Sequence, residues 1–292
     1  MSYSTIDLHV HSREGSDGAW PLAAIFAEAV QRGIDFISIT DHDSLEGQAQ
    51  AAALAQALGI TFITGIELNV TFFHAACNGG RSFSLDLLGY GFDPANPDLV
   101  AKLAALRDHR VNRAQVIFER VNYELGRQGV APLSPQDLAA IQRQAEGSLG
   151  RPHIADYLVK QGIVRDRGEA FDKYLVRCDV PKLRMPPDEA AHLIRSAGGR
   201  VVLAHANDSN GTSLASVVPF MEDQLQLLVS VLAPFLDGIE CWHSRHDAAA
   251  TRAYMTLARD RKLLATGGSD CHQDPLLLGT VLVPEWVREQ FA

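Results

Sequence analysis

Seven short apolar segments, each delivering ionisable side chains at or near its carboxyl end, limit what this chain can fold into more than any other feature. They cover residues 5–10, 35–40, 60–66, 84–90, 200–205, 237–243 and 263–268. With them come His9 and His11, Asp41-His42-Asp43, Glu67, Asp86, His205, Glu240 with His243, and Asp270 with His272. Alanine-rich stretches of helical pattern lie between them, notably Pro21 to Gln31, Leu45 to Leu58 and Ala248 to Arg261, and Gly33 and Gly59 stand as helix stops. Alternating strand and helix predicts an α/β fold. A barrel of parallel strands would collect these groups on one rim, at the strands' carboxyl ends.

The alternation breaks from 99 to 186, where no strong strand pattern occurs. Helices are expected at Ala101 to Gly126, Pro135 to Gln144, Pro152 to Gln161 and Arg167 to Tyr174, and Glu189 to Ser196 leads back to the strand at Val201. We therefore expect a barrel of residues 1–98 and 187–292, carrying an inserted, mostly helical domain over 99–186. Insertions at a barrel's carboxyl rim commonly lie over the active site, so this one is expected to cap the substrate. Its cations are the candidates for that contact. Arg107, Arg110 and Arg113 recur at helical spacing, Arg151 and His153 stand at a helix start that favours an anion, and Lys182 and Arg184 lie in the exit segment.

In an extended strand, His9 and His11 point the same way and can hold one ion, with Asp7 a step behind to orient a histidine. Imidazole and carboxylate suit zinc, iron or manganese. Asp41 and Asp43 read as caps of the following helix, and Cys271 as a packing residue facing away from the site. Trp242 reads as a packing residue that could also stack on a base from the rim.

At 292 residues the chain can bury a large core, and its net charge of −9 disfavours long duplex DNA and anionic membranes. Cys77, Cys178, Cys241 and Cys271 are scattered, so neither a disulfide framework nor a C-x-x-C zinc site is suggested. The first strand starts too early for a signal segment, and the apolar run Leu225 to Leu236 is short of the ~20 residues that span a bilayer. A cytoplasmic protein with no obligate protein partner is expected.

Asp7-x-His9-x-His11, Ser16-Asp17-Gly18, Thr40-Asp-His-Asp43, Gly65-x-Glu67, Ala204-His205 and Gly268-Ser-Asp270-x-His272, in this order, resemble the polymerase and histidinol phosphatase (PHP) family of metal-dependent phosphoesterases. With Gly150-Arg-Pro-His-Ile-Ala155, the resemblance is nearest to the branch of 3',5'-nucleoside bisphosphate phosphatases and a 5'-3' exoribonuclease. It implies a distorted seven-stranded barrel with two to three divalent ions. His9, His11, Glu67 and Asp270 would hold the first, Glu67, Asp86 and His205 the second, and Asp17, His42 and His272 the third. Asp86 stands where the family usually has histidine, which tilts the metal towards Mn2+, with Fe2+ or Zn2+ as alternatives. The loop from His11 to Asp17 is one residue longer than the family's usual form.

The activity so implied is hydrolysis of the 3'-phosphate of a 3',5'-bisphosphonucleotide by metal-activated water, with Asp270 at the catalytic centre. His243 is the first candidate to protonate the leaving oxygen and His246 the second. Ser12, Arg13, Arg110, Arg151, His153, Lys182, Arg184 and His246 are the candidate substrate contacts. Alternatives are 5'-3' exonucleolysis of short RNA ends, amidohydrolase cleavage of C–N bonds, and a noncatalytic module.

Overall fold

The computed structural model describes residues 3–75, 77–144, 150–272 and 277–292. Its seven strands form one sheet in sequential order: β1 (Ile6–Asp7), β2 (Phe36–Ile39), β3 (Thr61–Phe72), β4 (Phe83–Tyr90), β5 (Arg200–Leu203), β6 (Gly238–His243) and β7 (Leu264–Gly268). The sheet curls into a nearly closed barrel. Val10 bridges Cys271 in parallel, and Asp270 N–H donates to the His9 carbonyl at 2.8 Å, so the two ends of the sheet meet at the rim.

The expected all-parallel arrangement needs correction, because β4 runs antiparallel to both β3 and β5. Among the described residues, the connection 73–82 carries only a turn of 3-10 helix, and a parallel return needs a longer crossover, usually helical. The β3 strand also runs on to Phe72, which leaves Glu67 in mid-strand rather than at its end. Asp86 lies in the middle of β4 for the same reason: on a reversed strand the amino-terminal half approaches the rim.

Helices α1 (Leu22–Arg32) and α2 (Gln48–Leu58) cover β2, burying Leu22, Ile25, Phe26 and Ala51 with Ile37 and Ile39. A second core gathers Ile6, Leu8, Leu88, Tyr90 and Val202 beside Val283 and Val287 of the C-terminal segment. The Tyr90 hydroxyl donates to the Leu8 carbonyl at 2.8 Å, tying β4 to the residues that precede His9. Gly268 has a specific reason: a Cβ there would fall on the backbone nitrogen and Cβ of His9.

Helix α3 (Pro97–Arg127) is followed by α4 (Pro135–Gln144), α5 (Arg151–Lys160), α6 (Arg167–Ala170), α7 (Pro187–Ser196), α8 (Met221–Leu227) and α9 (Ala248–Arg261). The chain divides into two compact units, one of residues 1–101 and 184–292 and one of 102–183. The second has its own core, in which Ile117, Phe118 and Val121 of α3 pack with Ile154 and Leu158 of α5 and with Tyr174.

Candidate metal centre

Four side chains from three separate stretches of chain meet at the barrel rim. His9 and His11 follow β1, Glu67 comes from β3 and Asp270 follows β7, and a ligand atom of each lies within 4.8 Å of the others. His9 Nε2 stands 3.3 Å from Glu67 Oε2 and 3.4 Å from Asp270 Oδ1, and His11 Nε2 stands 3.2 and 3.3 Å from the same oxygens. Ligands about 2.0–2.1 Å from a tetrahedral ion lie about 3.3–3.4 Å from one another. Despite these short distances, His9 Nε2, His11 Nε2 and Glu67 Oε2 are buried and make no hydrogen bond. Buried polar atoms without partners are costly, and their convergence on one point fits a cation.

Glu67 also serves a second group. Its Oε1 lies 2.9 Å from His205 Nε2, which is 3.7 Å from Asp86 Oδ2. The other Asp86 oxygen accepts from Asn69 Nδ2 at 2.7 Å, and the Thr212 hydroxyl donates to Oδ2. A third group joins Asp17, His42 and His272 to His11. His42 Nδ1 is 3.1 Å from Glu67 Oε2, and His272 Nε2 is 3.4 Å from Asp17 Oδ1. Asp17 is 54% exposed while Glu67 is fully buried, so the third group forms the mouth of the centre. His205 and Asp270 both have positive φ, 25° and 54°, an uncommon conformation for such residues that local contacts must hold.

The electrostatics point the same way. Every ion pair that Glu67, Asp86, Glu240 and Asp270 make among the described residues is to a histidine. Burial opposes charge on an imidazole, yet the carboxylates of Asp270 and Glu67 carry His11 up to about 10, and Glu67 carries His205 up to about 9. Burial, with the Glu67 charge added, pushes the Asp86 carboxyl up to about 8. So many buried carboxylates demand positive charge, which either protonated imidazoles or divalent ions can supply.

Some expected roles move to other residues. Asp7 does not orient an imidazole: its Oδ1 accepts from Ser269 N at 2.9 Å and its Oδ2 from Gly279 N at 2.8 Å, so it pins backbone. The imidazole-orienting carboxylate is Glu240, whose Oε1 lies 2.9 Å from His9 Nδ1. Asp41 is not a helix cap either. It accepts from Ser12 N at 2.7 Å, Ser12 Oγ at 2.6 Å and Ser16 Oγ at 2.7 Å, winding the loop that presents Asp17.

Ser12 is thereby fully buried and committed to Asp41, which removes it as a substrate contact. His246 is held by backbone groups at both ring nitrogens. Its Nδ1 faces the Cys241 carbonyl at 3.2 Å and its Nε2 accepts from Asn207 N at 3.3 Å, while burial lowers its pKa to about 4. His243 stands at the centre, with Nε2 3.3 Å from Asp270 Oδ2. Its Nδ1 accepts from Arg245 N at 3.2 Å, so the neutral ring carries its proton on Nε2.

Arg13 is exposed, with Nε and Nη2 both on the Ala19 carbonyl. Arg184 is exposed beside Met185, whose carbonyl accepts from Thr71 N of β3. In the helical unit, Arg110 is half-buried and Lys182 exposed. Arg151 pairs with Asp179 at 2.8 Å over the Phe171 ring, and His153 accepts from Gly150 N at 3.1 Å, capping its own helix. Trp242 packs edge-on against Trp286, with ring centroids 5.7 Å apart, as a packing residue does.

Comparison with known proteins agrees with this geometry. Residues 7–146 match the PHP domain family. A 3',5'-nucleoside bisphosphate phosphatase of Chromobacterium violaceum is 31% identical over 273 residues, spanning 92% of this chain and 87% of its own. A 5'-3' exoribonuclease of Haemophilus influenzae is 29% identical, spanning 91% and 89%. Among solved structures, a Bifidobacterium adolescentis protein described as a metal-dependent phosphoesterase superposes with a TM-score of 0.70 at 27% identity, over 98% of this chain and 94% of its own.

Proposed function

The chain belongs to the PHP domain family of metal-dependent phosphoesterases, and from that premise we propose that it hydrolyses the 3'-phosphate of 3',5'-bisphosphonucleotides, such as adenosine 3',5'-bisphosphate, to the 5'-monophosphate and phosphate. The observation that carries the reading is a chain of linked ligand groups, in which Glu67 is shared by the first and second and His11 by the first and third, with orphaned buried atoms of His9, His11 and Glu67 aimed between them. Divalent ions in these groups, Mn2+ first given the share of oxygen donors, would lower the pKa of water and cancel charge on the phosphate oxygens.

The protein's own residues supply the rest. A water oxygen bonds to phosphorus as the bond from phosphorus to the 3'-oxygen breaks, and that oxygen needs a proton. His243 is the donor in this reading, because its Nε2 stands 3.3 Å from Asp270 Oδ2 at the centre. Asp270 and Glu67 hold the cationic centre in place. Arg13 and Arg184, exposed cations of the barrel unit, take the 5'-phosphate. The net charge of −9 favours a small nucleotide over a long polyanion. Among the described residues no helix is long and apolar enough to cross a membrane, and the four cysteines are free, in keeping with a cytoplasmic setting.

A second reading, 5'-3' exonucleolysis of short RNA, is favoured by the Haemophilus influenzae relative and uses the same chemistry. The test is phosphate release by manganese-loaded protein from adenosine 3',5'-bisphosphate, 5'-AMP and a short 5'-phosphorylated RNA, with Asp270→Asn as control. Release from the bisphosphate alone is expected. Shortening of RNA without that release replaces the reading with the second one, and inertness towards all three removes both.

A further inference from the structure

Glu240 is a fully buried carboxylate in β6. Such a group is expensive to keep unless its oxygens are well used. The two oxygens of Glu240 are divided between neighbours that belong to different ligand groups. Oε1 lies 2.9 Å from His9 Nδ1, and Oε2 accepts from the backbone N–H of His205 at 2.7 Å.

Each contact has a separate consequence. A carboxylate only accepts, so His9 must carry a proton on Nδ1, which leaves the lone pair of Nε2 facing Glu67 and Asp270. His205 sits at φ 25°, a conformation its neighbours must impose, and the hydrogen bond from its own N–H to Glu240 holds it there. That backbone setting aims His205 Nε2 at Glu67 Oε1. We propose that Glu240 is a positioning residue that makes the first and second metal sites one binding unit, by fixing the tautomer of a ligand in one and the backbone of a ligand in the other. This rests on the metal-centre part of the function proposed above and not on its substrate.

The β6 geometry is what permits this. The register against β7 shifts between Glu240 and Trp242, an irregularity that adds one residue to β6. Glu240 and His243, three residues apart, would face opposite sides of a regular strand, yet both reach His9.

The experiment is a manganese titration of metal-free wild type, Glu240→Gln and Glu240→Asp, read as ions bound per chain and affinity. An amide keeps one accepting oxygen and turns a donor towards the second neighbour, so Glu240→Gln cannot serve His9 and His205 together. We expect both ions to weaken together, by about 10–100-fold, with Glu240→Asp recovering part of the loss. Weakening of one ion alone, or wild-type affinity in both variants, overturns the proposal. In zinc-loaded wild type, imidazole nitrogen NMR of His9 should show the proton on Nδ1, and a proton on Nε2 overturns it even if neither variant folds. Wild type that binds no ions refutes the metal reading itself, a distinct result.

Discussion

The buried carboxylates of the metal centre and the half-buried carboxylates of the helical unit are answered in different ways. In the helical unit, Asp156, Glu169 and Asp179 are answered by arginine and lysine. Asp179 takes Arg113 at 2.5 Å and Arg151 at 2.8 Å, Asp156 takes Arg167, and Glu169 takes Arg165 at 3.0 Å and Lys173 at 2.5 Å. In the barrel unit, among the described residues, Glu67, Asp86, Glu240 and Asp270 form ion pairs only with histidines, and several of the facing atoms lack hydrogen bonds. A closed ion pair satisfies itself and serves structure. A set of converging acceptors and lone pairs is satisfied only by something that arrives from outside.

The widest gap between the units should appear when one carboxylate is neutralised in each. Glu67→Gln is expected to lower kcat/KM about a thousandfold or more, since it faces all three ligand groups and its loss removes several kcal/mol of charge stabilisation. Asp179→Asn should leave kcat within a few-fold and lower stability by about 1–2 kcal/mol. That figure is discounted from the usual cost of an orphaned buried partner, because Asp179 is 37% exposed. Steady-state kinetics with a denaturant titration on both variants checks the pair. A large loss of activity in Asp179→Asn would break the comparison.

Metal removal sharpens it next. Without metal, His11, His205 and Asp86 have folded pKa values of about 10, 9 and 8, all above their unfolded values. A raised folded pKa gives stability that is present below the unfolded pKa and lost as pH rises through the folded one. The chelated protein should therefore lose stability from about pH 6.5 towards pH 10, because the histidines' stabilising contribution disappears across that window. Metal-loaded protein should show the reverse trend, losing stability as pH falls, because protons compete for the ligands. Thermal unfolding with and without chelator across this range reads the sign directly. The same trend in both forms would argue that no metal binds at these residues.

Much of this was legible in the sequence. His9, His11, Asp270 and His272 stand out because the strand period puts alternate residues on one face, and a local pattern needs no tertiary knowledge. The missed features all depend on geometry that a period cannot carry. The reversed direction of β4 follows from a connection too short for a helical crossover, and this explains why Asp86 reaches the rim from mid-strand. Glu240 was visible beside His243 but its role was not, since regular alternation places it opposite His243 and only the bulge brings both to His9. Asp7 read as orienting a histidine and Asp41 as a helix cap because of what stands next to them in the chain. Their partners, Ser269, Gly279, Ser12 and Ser16, become visible only once separate segments are folded together.

The smallest effects test the same contrast at two glycines. Gly126 lies exposed near the end of α3, and a methyl added there would meet open space, so Gly126→Ala should stabilise the helical unit by about 0.5 kcal/mol through reduced backbone entropy. Gly268→Ala puts the same methyl on the nitrogen and Cβ of His9, where backbone stands in the way and β7 must part from β1. We expect a loss of about 1–3 kcal/mol in stability. Activity should fall further than stability alone explains, because a shift of about 1 Å in a group that holds the reacting centre can cost about 100-fold in rate. Chemical denaturation and kinetics on the two variants give opposite signs if the rim is as tightly set as its contacts require. Tolerance of Gly268→Ala with full activity would mean that His9 has room to move, and the first ligand group would then be looser than its 3.2–3.4 Å spacings imply.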